Sequence, residues 1–395
     1  MNEFYREYLD ADVDRRGTNC EKWDRCGEHF GRADVIPMWV ADMDFRTVPA
    51  ISEALVKRAQ HAIYGYTENA KEEKAAECGW LQRRYGLHVE PEWILYSPGV
   101  VDSLFFCVRS MTEEGDKILV QPPVYGPFYR AVQSFGRELV ENNLIHSENG
   151  WEMDFELLEK QLAEDVKMMI LCSPHNPVGR VWTAAELKKV VDLANKYDVI
   201  IVSDEIHADF NLGSTPHTRI LAVDGADKCV MLTSATKSFN LAGLRQSSAI
   251  VKNAQLREKL AAEIERAHAG TPNIFGAIAQ TVAYSEGDEW MDAVVEYIRE
   301  NRDFAVNFIR ERIPQIKCEA QEGSYLMWLD CREVGLSHDA FFRRVIDEAG
   351  VAINDGRFFG EEAGLGFFRF NLATRRDRVR ESLENIEKMV RSINQ

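Results

Sequence analysis

The stretch LTSATKSFNLAGLR, residues 232–245, decides how this chain is interpreted. It begins at the end of an apolar run, residues 229–232, which predicts a buried strand. Hydroxyl residues follow, then Lys237, then a segment that contains a glycine. Lysine side chains are almost never fully buried without a partner, and a desolvated lysine has a lowered pKa and can attack a carbonyl carbon. The alternative is an ordinary solvated loop lysine.

Further apolar runs upstream of this stretch alternate with segments of helical periodicity. Runs of this kind lie at 93–96, 117–121, 168–172 and 199–203. Continuously apolar strands that alternate with helices predict an α/β fold, with a mostly parallel sheet covered on both faces. The chain therefore contains a large domain built around such a sheet, which we expect to span residues 46–285.

Polar or turn-forming residues stand at or just past the ends of these predicted strands. They are Gly99, Tyr125, Asn176, Asp204 and Lys237. Ligands of open α/β sheets bind beyond the carboxyl ends of the strands, so we expect the five residues to meet at one site. Taken singly, each has a structural alternative: a tight turn, a core tyrosine, an Asn-Pro turn, a turn or cap aspartate, and a solvated lysine.

The two ends of the chain have a different pattern. Residues 1–45 are polar and are expected to form an irregular arm that contributes to a smaller domain. From about residue 250 the periodicity is helical, with strands predicted at 324–330 and 366–372 and a closing helix from 377. We expect residues 286–395 to form a small α+β domain.

Charge and composition exclude several classes of function. A net charge of −17 argues against a nucleic-acid partner and against an anionic membrane surface. No apolar run approaches the roughly 18 residues of a membrane span. The eight cysteines contain no C-x-x-C pair, which favours reduced thiols and a cytoplasmic protein over disulfides or zinc. The histidines show no metal-ligand spacing, and we expect no metal.

Several motifs together resemble a known family. SPHNPVG at 173–179, SDEIH at 203–207, SATKSFNLAGL at 234–244 and RFNLA at 369–373 are similar to motifs of the pyridoxal-phosphate (PLP)-dependent aminotransferases of class I and II, fold type I. PMWVADMDF at 37–45 and PPVYGPF at 122–128 resemble the branch of cystathionine β-lyases and other cysteine C–S lyases. The resemblance extends from about residue 30 to the C-terminus.

The resemblance implies PLP as the cofactor, with a role for each strand-end residue. Lys237 would hold the cofactor as a Schiff base, and Asp204 would face its pyridine nitrogen. A carboxylate there keeps the nitrogen protonated, so that the ring can accept electrons from the substrate. Asn176 would donate to the phenolic oxygen of the ring, and Tyr125 would stack on the ring face. Lys237, Tyr125 and Asp204 are the expected catalytic residues.

The phosphate group would lie at a helix start, where backbone N–H groups favour an anion. The resemblance places it on the N–H groups of Val100 and Val101, near the Ser234 hydroxyl. Arg245 matches a phosphate-binding arginine of the wider superfamily, although the lyase branch often lacks it. Tyr66 corresponds to a tyrosine that reaches the phosphate of the neighbouring subunit, which implies a homodimer with shared active sites. Tyr64 is the alternative for that role.

The substrate would be a small amino acid whose carboxylate pairs with Arg369, because a planar guanidinium suits a bidentate contact. Trp39, Val40 and Ala41 would line the substrate entrance, together with Tyr64. His207 stands where the wider superfamily has tyrosine, and it would position Asp204 or the ring oxygen; a structural histidine is the alternative.

The resemblance implies a lyase that cleaves L-cystathionine or related cysteine S-conjugates by β-elimination. The products would be a thiol (homocysteine from cystathionine), pyruvate and ammonia. An aminotransferase would use the same Lys237, Asp204 and Arg369, and only the motif at 37–45, Tyr125 and His207 favour the lyase. A third possibility, from another class, is a non-catalytic regulatory or binding protein on the same fold.

Overall fold

A computed structural model describes residues 1–68, 71–148 and 150–393. Fifteen α-helices lie within these residues: α1 Glu3–Asp10, α2 Glu21–Asp24, α3 Cys26–Phe30, α4 Pro49–Gln60, α5 Lys71–Tyr85, α6 Val100–Met111, α7 Pro127–Gln133, α8 Phe155–Leu162, α9 Ala184–Lys196, α10 Ala235–Ser238, α11 Ala254–Arg266, α12 Ile274–Glu286, α13 Asp288–Arg312, α14 His338–Asp347 and α15 Arg376–Ile393. Thr183 caps α9 in the capping box that its spacing from Glu186 predicts.

The same residues form fifteen strands: β1 Ile36–Pro37, β2 Ile94–Ser97, β3 Lys117–Val120, β4 Glu138–Glu141, β5 Ile145–Ser147, β6 Gly150–Glu152, β7 Val166–Cys172, β8 Ile200–Asp204, β9 Cys229–Thr233, β10 Ser247–Val251, β11 Lys317–Cys318, β12 Leu326–Asp330, β13 Val351–Ala352, β14 Asn354–Asp355 and β15 Phe367–Asn371. Seven of them make one large sheet in the order β2-β10-β9-β8-β7-β3-β4. All neighbours are parallel except β10, which runs antiparallel to both β2 and β9.

Both faces of the large sheet are buried, as the apolar strands predict. On β7, Met168 and Ile170 pack on one face against α6 and α11, within one hydrophobic cluster. Met169 and Leu171 point to the opposite face and pack in a second cluster with α8 and α9. Successive side chains of a strand alternate between faces, so a strand covered on both sides is apolar along most of its length. The predicted α/β architecture is confirmed.

The C-terminal part of the chain carries a second sheet, with the antiparallel order β11-β12-β15-β14. It packs in its own hydrophobic cluster with α13, α14 and α15. Strand β1 pairs in parallel with β13, which ties the N-terminal arm to this part of the chain. The division of the chain at residues 45 and 285 stays a prediction.

Local structure departs from the sequence-based interpretation in two places. The first 45 residues are not irregular throughout, because they form α1, α2 and α3 as well as β1. Asn2 caps α1, and Leu9 is buried. This short amphipathic helix is stabilised by packing against α13. Strand β10 also falls where no strand is expected, because its first residues are two serines.

Helix α5 buries two carboxylates four residues apart, Glu73 and Glu77, against the β2–β10 edge of the sheet. Gln246 donates its amide to Glu73 at 2.7 Å, and Ser248 donates its hydroxyl to Glu77 at 2.9 Å. Burial raises the pKa of each carboxyl to about 7. This pair therefore changes its charge in the neutral pH range.

All eight cysteines are free thiols. No helix among the described residues combines the length and the apolar composition needed to cross a bilayer. Within the same residues, no group of three or more histidine, cysteine or acidic side chains is arranged to hold a metal ion.

Candidate active site

A cavity of about 330 Å³ opens at the carboxyl edge of the large sheet. The strands β7, β8 and β9 end together there, because Cys172 is paired with Asp204 and Asp204 with Leu232. All five of the strand-end residues line the cavity, along with further neighbours: Ala41, Pro98, Gly99, Val100, Val101, Asp102, Tyr125, Cys172, Asn176, Asp204, Ile206, His207, Thr236, Lys237, Ala242 and Arg245. The expectation that these side chains meet at one site agrees with the geometry.

Lys237 lies on the short helix α10, which follows β9 directly. Its amine is partly buried and donates to the carbonyl oxygen of Ala41, with an Nζ–O distance of 2.5 Å. The pKa of Lys237 is lowered to about 8, mainly by burial. The positive charge of Arg369 also lowers it, whereas the carboxylates of Asp42 and Asp204 raise it. At pH 7 roughly one amine in ten is then neutral, against about three in ten thousand for an ordinary lysine.

Asp204 ends strand β8 and is 6% exposed. Oδ1 accepts a hydrogen bond from the backbone N–H of Ile206 at 3.1 Å. Burial raises the pKa of Asp204 to about 6, although that hydrogen bond and Lys237 act in the opposite direction. No lysine or arginine lies within ion-pair distance of Asp204 in the described parts of the chain. A buried carboxylate of this kind is stabilised by any cationic group that enters the cavity.

His207 is buried beside Asp204 and also lines the cavity. Its Nδ1 lies within hydrogen-bonding distance of the Ser324 hydroxyl, at 3.2 Å, and its ring stands edge-on to Tyr325. Burial lowers the pKa of His207 well below the usual value, with Lys237 and Arg369 acting in the same direction. The imidazole is therefore neutral at pH 7.

The N-terminus of α6 forms another wall of the cavity through Gly99, Val100 and Val101. The first N–H groups of a helix have no partner inside the helix, so they suit an anion. The Asp102 side chain folds back over Gly99, where a Cβ would lie 2.6 Å from its Oδ2, so a larger residue would displace this carboxylate. Arg245 donates to this carboxylate at 3.1 Å, so its positive charge is already compensated within the chain.

Arg369 lies on β15, behind Asn176, and is 3% exposed. Its Nη1 donates to Asn176 Oδ1 at 3.2 Å, and its Nη2 donates to Asn354 Oδ1 at 2.7 Å and to the Trp39 carbonyl at 3.0 Å. The guanidinium carbon lies 4.8 Å from the centre of the Phe359 ring. Burial lowers the pKa of Arg369 to about 10, which leaves it charged at neutral pH.

Carbonyl oxygens of the 39–42 segment connect this arginine with the lysine. Trp39 accepts from Arg369, and Ala41 accepts from both Lys237 and the Tyr325 hydroxyl, the latter at 3.0 Å. Val40 accepts from the side chain of Asn371 at 2.6 Å. The segment is therefore held by Lys237 from α10, by Tyr325, and by the β15 side chains of Arg369 and Asn371. Ala41 lines the cavity, whereas Trp39 and Val40 do not.

Besides Arg369, Trp39 and Val40, three other predicted site residues lie outside the cavity lining. The Ser234 hydroxyl donates to the Gln246 carbonyl at 2.6 Å and caps α10 by accepting from Thr236 N–H. Tyr64 donates its hydroxyl to the Ala59 carbonyl at 2.8 Å, and Tyr66 is fully exposed. A single chain does not bring either tyrosine to the site, and the contribution of Tyr66 to a partner subunit stays a prediction.

The structure also brings in residues that sequence reasoning missed. Thr236 lines the cavity beside Lys237. It lies within the hydroxyl-rich motif that begins at Ser234, so the sequence could have indicated it as a site residue. Tyr325, Asn354 and Asn371 act through hydrogen bonds to the 39–42 segment or to Arg369. Their partners are distant in sequence, so no local motif indicates them.

Comparison with known proteins agrees with the motifs. Residues 33–386 match the model of the family described as aminotransferase class I and II. The chain is 42% identical to cystathionine β-lyase PatB of Bacillus subtilis strain 168 over 94% of this chain and 98% of the relative. It is 32% identical to protein MalY of Escherichia coli K12, over 96% of this chain and 98% of the relative.

Among solved structures, the PLP-bound C–S lyase of Staphylococcus hominis has a TM-score of 0.90 and 31% identity, covering 97% of each chain. The similarity thus extends over almost the whole chain in sequence and in structure, and it confirms the resemblance inferred from the motifs. The chain belongs to the aminotransferase class I and II family.

Proposed function

We propose that this chain is a PLP-dependent C–S lyase. It cleaves L-cystathionine or related cysteine S-conjugates by β-elimination, and it releases a thiol, pyruvate and ammonia. One observation carries the proposal: a partly buried amine and a buried carboxylate, Lys237 and Asp204, face the same cavity beside a free helix N-terminus. The similarity to a cystathionine β-lyase over 94% of the chain supports the choice of reaction.

The residues that line the cavity fit PLP. The amine of Lys237 is the group that binds an aldehyde, and Asp204 is a buried carboxylate that lacks a cationic partner in the described chain. The N-terminus of α6 offers N–H groups to a phosphate. An aldehyde, a protonated ring nitrogen and a phosphate thus each have a complementary group.

In the proposed site, Lys237 holds the cofactor through Nζ and Asp204 holds the ring nitrogen in its protonated form. Asn176 donates to the phenolic oxygen, and Tyr125 covers the ring face. Val100 and Val101 would bind the phosphate through their N–H groups, and Arg245 would reinforce that contact by exchanging the Asp102 carboxylate for the phosphate. His207, neutral and buried, supports Asp204 from the side. When bound, PLP supplies an electron sink for the pair of electrons left at the substrate Cα.

Arg369 binds the substrate α-carboxylate. Three of its five N–H groups donate to protein acceptors, and the buried Nε–H has no partner among the described residues, which leaves it available to a carboxylate oxygen. A guanidinium that is 3% exposed forms a stronger pair than one in water, because the local dielectric is low. This contact orients the amino acid so that its Cα–H faces Lys237.

Lys237 moves the proton. Its lowered pKa makes the neutral amine accessible near pH 7, and the neutral amine removes the proton from Cα. The bond from Cβ to sulfur then breaks, and sulfur leaves as a thiol by taking up the proton that Lys237 has removed from Cα. Released 2-aminoacrylate hydrolyses to pyruvate and ammonia. Lys237 is thus both the anchor of the cofactor and the general base.

An aminotransferase would use the same Lys237, Asp204 and Arg369 but would deliver the proton to the cofactor instead of expelling sulfur. The two activities differ in one requirement, because only a transaminase needs a 2-oxo acid as acceptor. The test is therefore turnover of L-cystathionine by the holoenzyme with and without an added 2-oxo acid. We expect pyruvate and a free thiol in its absence. Turnover that depends on the acceptor would identify a transaminase, and no turnover would favour a binding protein.

We further propose that the protein works in the cytoplasm as a homodimer with shared active sites. Eight free cysteines suit a reducing compartment. Ile63, Tyr64 and Tyr66 are exposed next to one another, which suits contact with a second copy. In that assembly the partner's Tyr66 reaches the phosphate. Size-exclusion chromatography with light scattering tests the dimer.

A further inference from the structure

We infer that Asn354 is a positioning residue that holds Arg369 in place for an anionic substrate while leaving its charge uncompensated. The inference rests on the proposed function, in which Arg369 binds the α-carboxylate. It adds a residue from a different strand, for which sequence motifs give no indication, and it explains how a buried arginine stays available.

Asn354 and Arg369 stand directly opposite each other on β14 and β15. The side-chain carbonyl of Asn354 accepts the shortest of the three hydrogen bonds that Arg369 makes, 2.7 Å against 3.0 and 3.2 Å. The Phe359 ring lies 4.8 Å from the guanidinium carbon and restricts it further. Asn354 is partly buried, so bulk water competes only in part for its oxygen.

The charge of the acceptors is the decisive feature. Asn176, Asn354 and the Trp39 carbonyl are all neutral, and no carboxylate lies within ion-pair distance of Arg369 in the described ranges of the chain. Most other buried cations here are paired: Lys22 contacts Asp44 at 3.1 Å, and Arg219 contacts Glu205 at 3.4 Å. Neutral acceptors fix the direction of the guanidinium without cancelling the charge that attracts a carboxylate.

The substitution Asn354→Asp has different expected effects if Asn354 only stabilises the fold and if it holds Arg369 for the substrate. Asn354→Asp keeps an oxygen acceptor at the same place and adds a negative charge, which strengthens the contact with Arg369. If Asn354 only stabilised the fold, this variant would be at least as stable and would bind substrate normally. If Asn354 keeps Arg369 available, the variant stays folded but binds carboxylates poorly.

The test measures binding to the holoenzyme by isothermal titration calorimetry. The ligands are 2-methylalanine, an amino acid that has no Cα proton and so cannot be turned over, and isopropylamine, the same molecule without its carboxylate. The variants are Asn354→Asp and Asn354→Ala, with Asn307→Asp on the exposed face of α13 as the matched control for the same chemical change. Melting temperatures of all variants accompany the titrations.

We expect Asn354→Asp to bind 2-methylalanine roughly ten- to a hundredfold more weakly than the wild type, the range of one charged hydrogen bond. Binding of isopropylamine and the melting temperature should be unchanged, and Asn307→Asp should behave as wild type. Asn354→Ala should lose less affinity for 2-methylalanine and some thermal stability. In cystathionine turnover, the KM of Asn354→Asp should rise while kcat changes little.

Two results would overturn the inference. The first is that Asn354→Asp binds 2-methylalanine as tightly as the wild type, and the second is that it loses affinity for isopropylamine to the same extent. Either would show that Asn354 does not govern the carboxylate contact. Because 2-methylalanine is never turned over, the result is independent of whether the enzyme proves to be a lyase or a transaminase.

Discussion

Replacing Glu77 with glutamine should stabilise the fold by an amount that grows with pH. Glu77 is fully buried on α5, where Ser248 donates to one carboxyl oxygen and the other oxygen has no partner among the described residues. Burial raises the pKa of Glu77 from an ordinary 4.5 to about 7, and the nearby Glu73 acts in the same direction. Glutamine has the same shape and no charge to desolvate.

The direction and the size of this stability change follow from the difference between the pKa values of Glu77 in the folded and the unfolded chain. Between pH 4.5 and 7 the folded chain keeps a proton on Glu77 that the unfolded chain releases, so stability falls as pH rises through this window. Each pH unit corresponds to about 1.4 kcal/mol, and the full shift to about 3 kcal/mol above pH 7. Relaxation around the charged carboxylate and its coupling to Glu73 reduce this, so we expect a gain of about 1–3 kcal/mol at pH 8 relative to pH 5.

The assay is urea unfolding of Glu77→Gln and the wild type at pH 5, 6, 7 and 8. Glu72→Gln is the matched control, since Glu72 is exposed one turn earlier on the same helix. The difference in the free energy of unfolding between Glu77→Gln and the wild type should rise steadily over this range, whereas the control should show none. A difference that does not change with pH, or one that becomes more destabilising towards pH 8, would refute the assignment of Glu77 as a buried, proton-retaining carboxyl.

Two further substitutions test the roles in the cavity. Lys237→Ala should abolish the visible absorbance of a Schiff base and the lyase activity, since no other amine lines the cavity in the described chain; a retained band would remove Lys237 from its role. Asp204→Asn should keep the cofactor but lower kcat/KM roughly a hundredfold or more, because an amide does not hold the ring nitrogen protonated. Steady-state kinetics check this, and a loss of under tenfold would contradict it.

The strand-end residues of the site were predictable because they follow apolar runs. Asp204 and Lys237 each come directly after a strand that is buried on both faces, and the sheet brings those ends together. Helices such as α9 were predictable from periodicity and from the Thr183 cap. These features depend on local sequence and on the general geometry of parallel sheets.

Other features depend on partners far away in the chain. Strand β10 begins with Ser247 and Ser248, which look like loop residues, yet both are fully buried. They are satisfied by Ser97 and Glu77, more than a hundred residues upstream. Asn354 similarly gains its importance only when β14 pairs with β15. A buried polar residue whose partner is distant leaves no local pattern.

The sequence predicted that the 39–42 segment lies near the site, but not how the segment contacts the site residues. The resemblance indicated Trp39, Val40 and Ala41 as residues of the entrance, but it did not show that their backbone carbonyls make the contacts. Main-chain acceptors are the same in every residue type, so a sequence motif cannot reveal which of them face Lys237 and Arg369.

The central claim is that the proton taken by Lys237 leads to expulsion of sulfur. The most direct test is the stoichiometry of many turnovers of L-cystathionine by the holoenzyme, with no 2-oxo acid present. We expect equal amounts of homocysteine, pyruvate and ammonia, each in many-fold molar excess over the enzyme. Product formation that stops at one equivalent per active site, and resumes only when a 2-oxo acid is added, would contradict it.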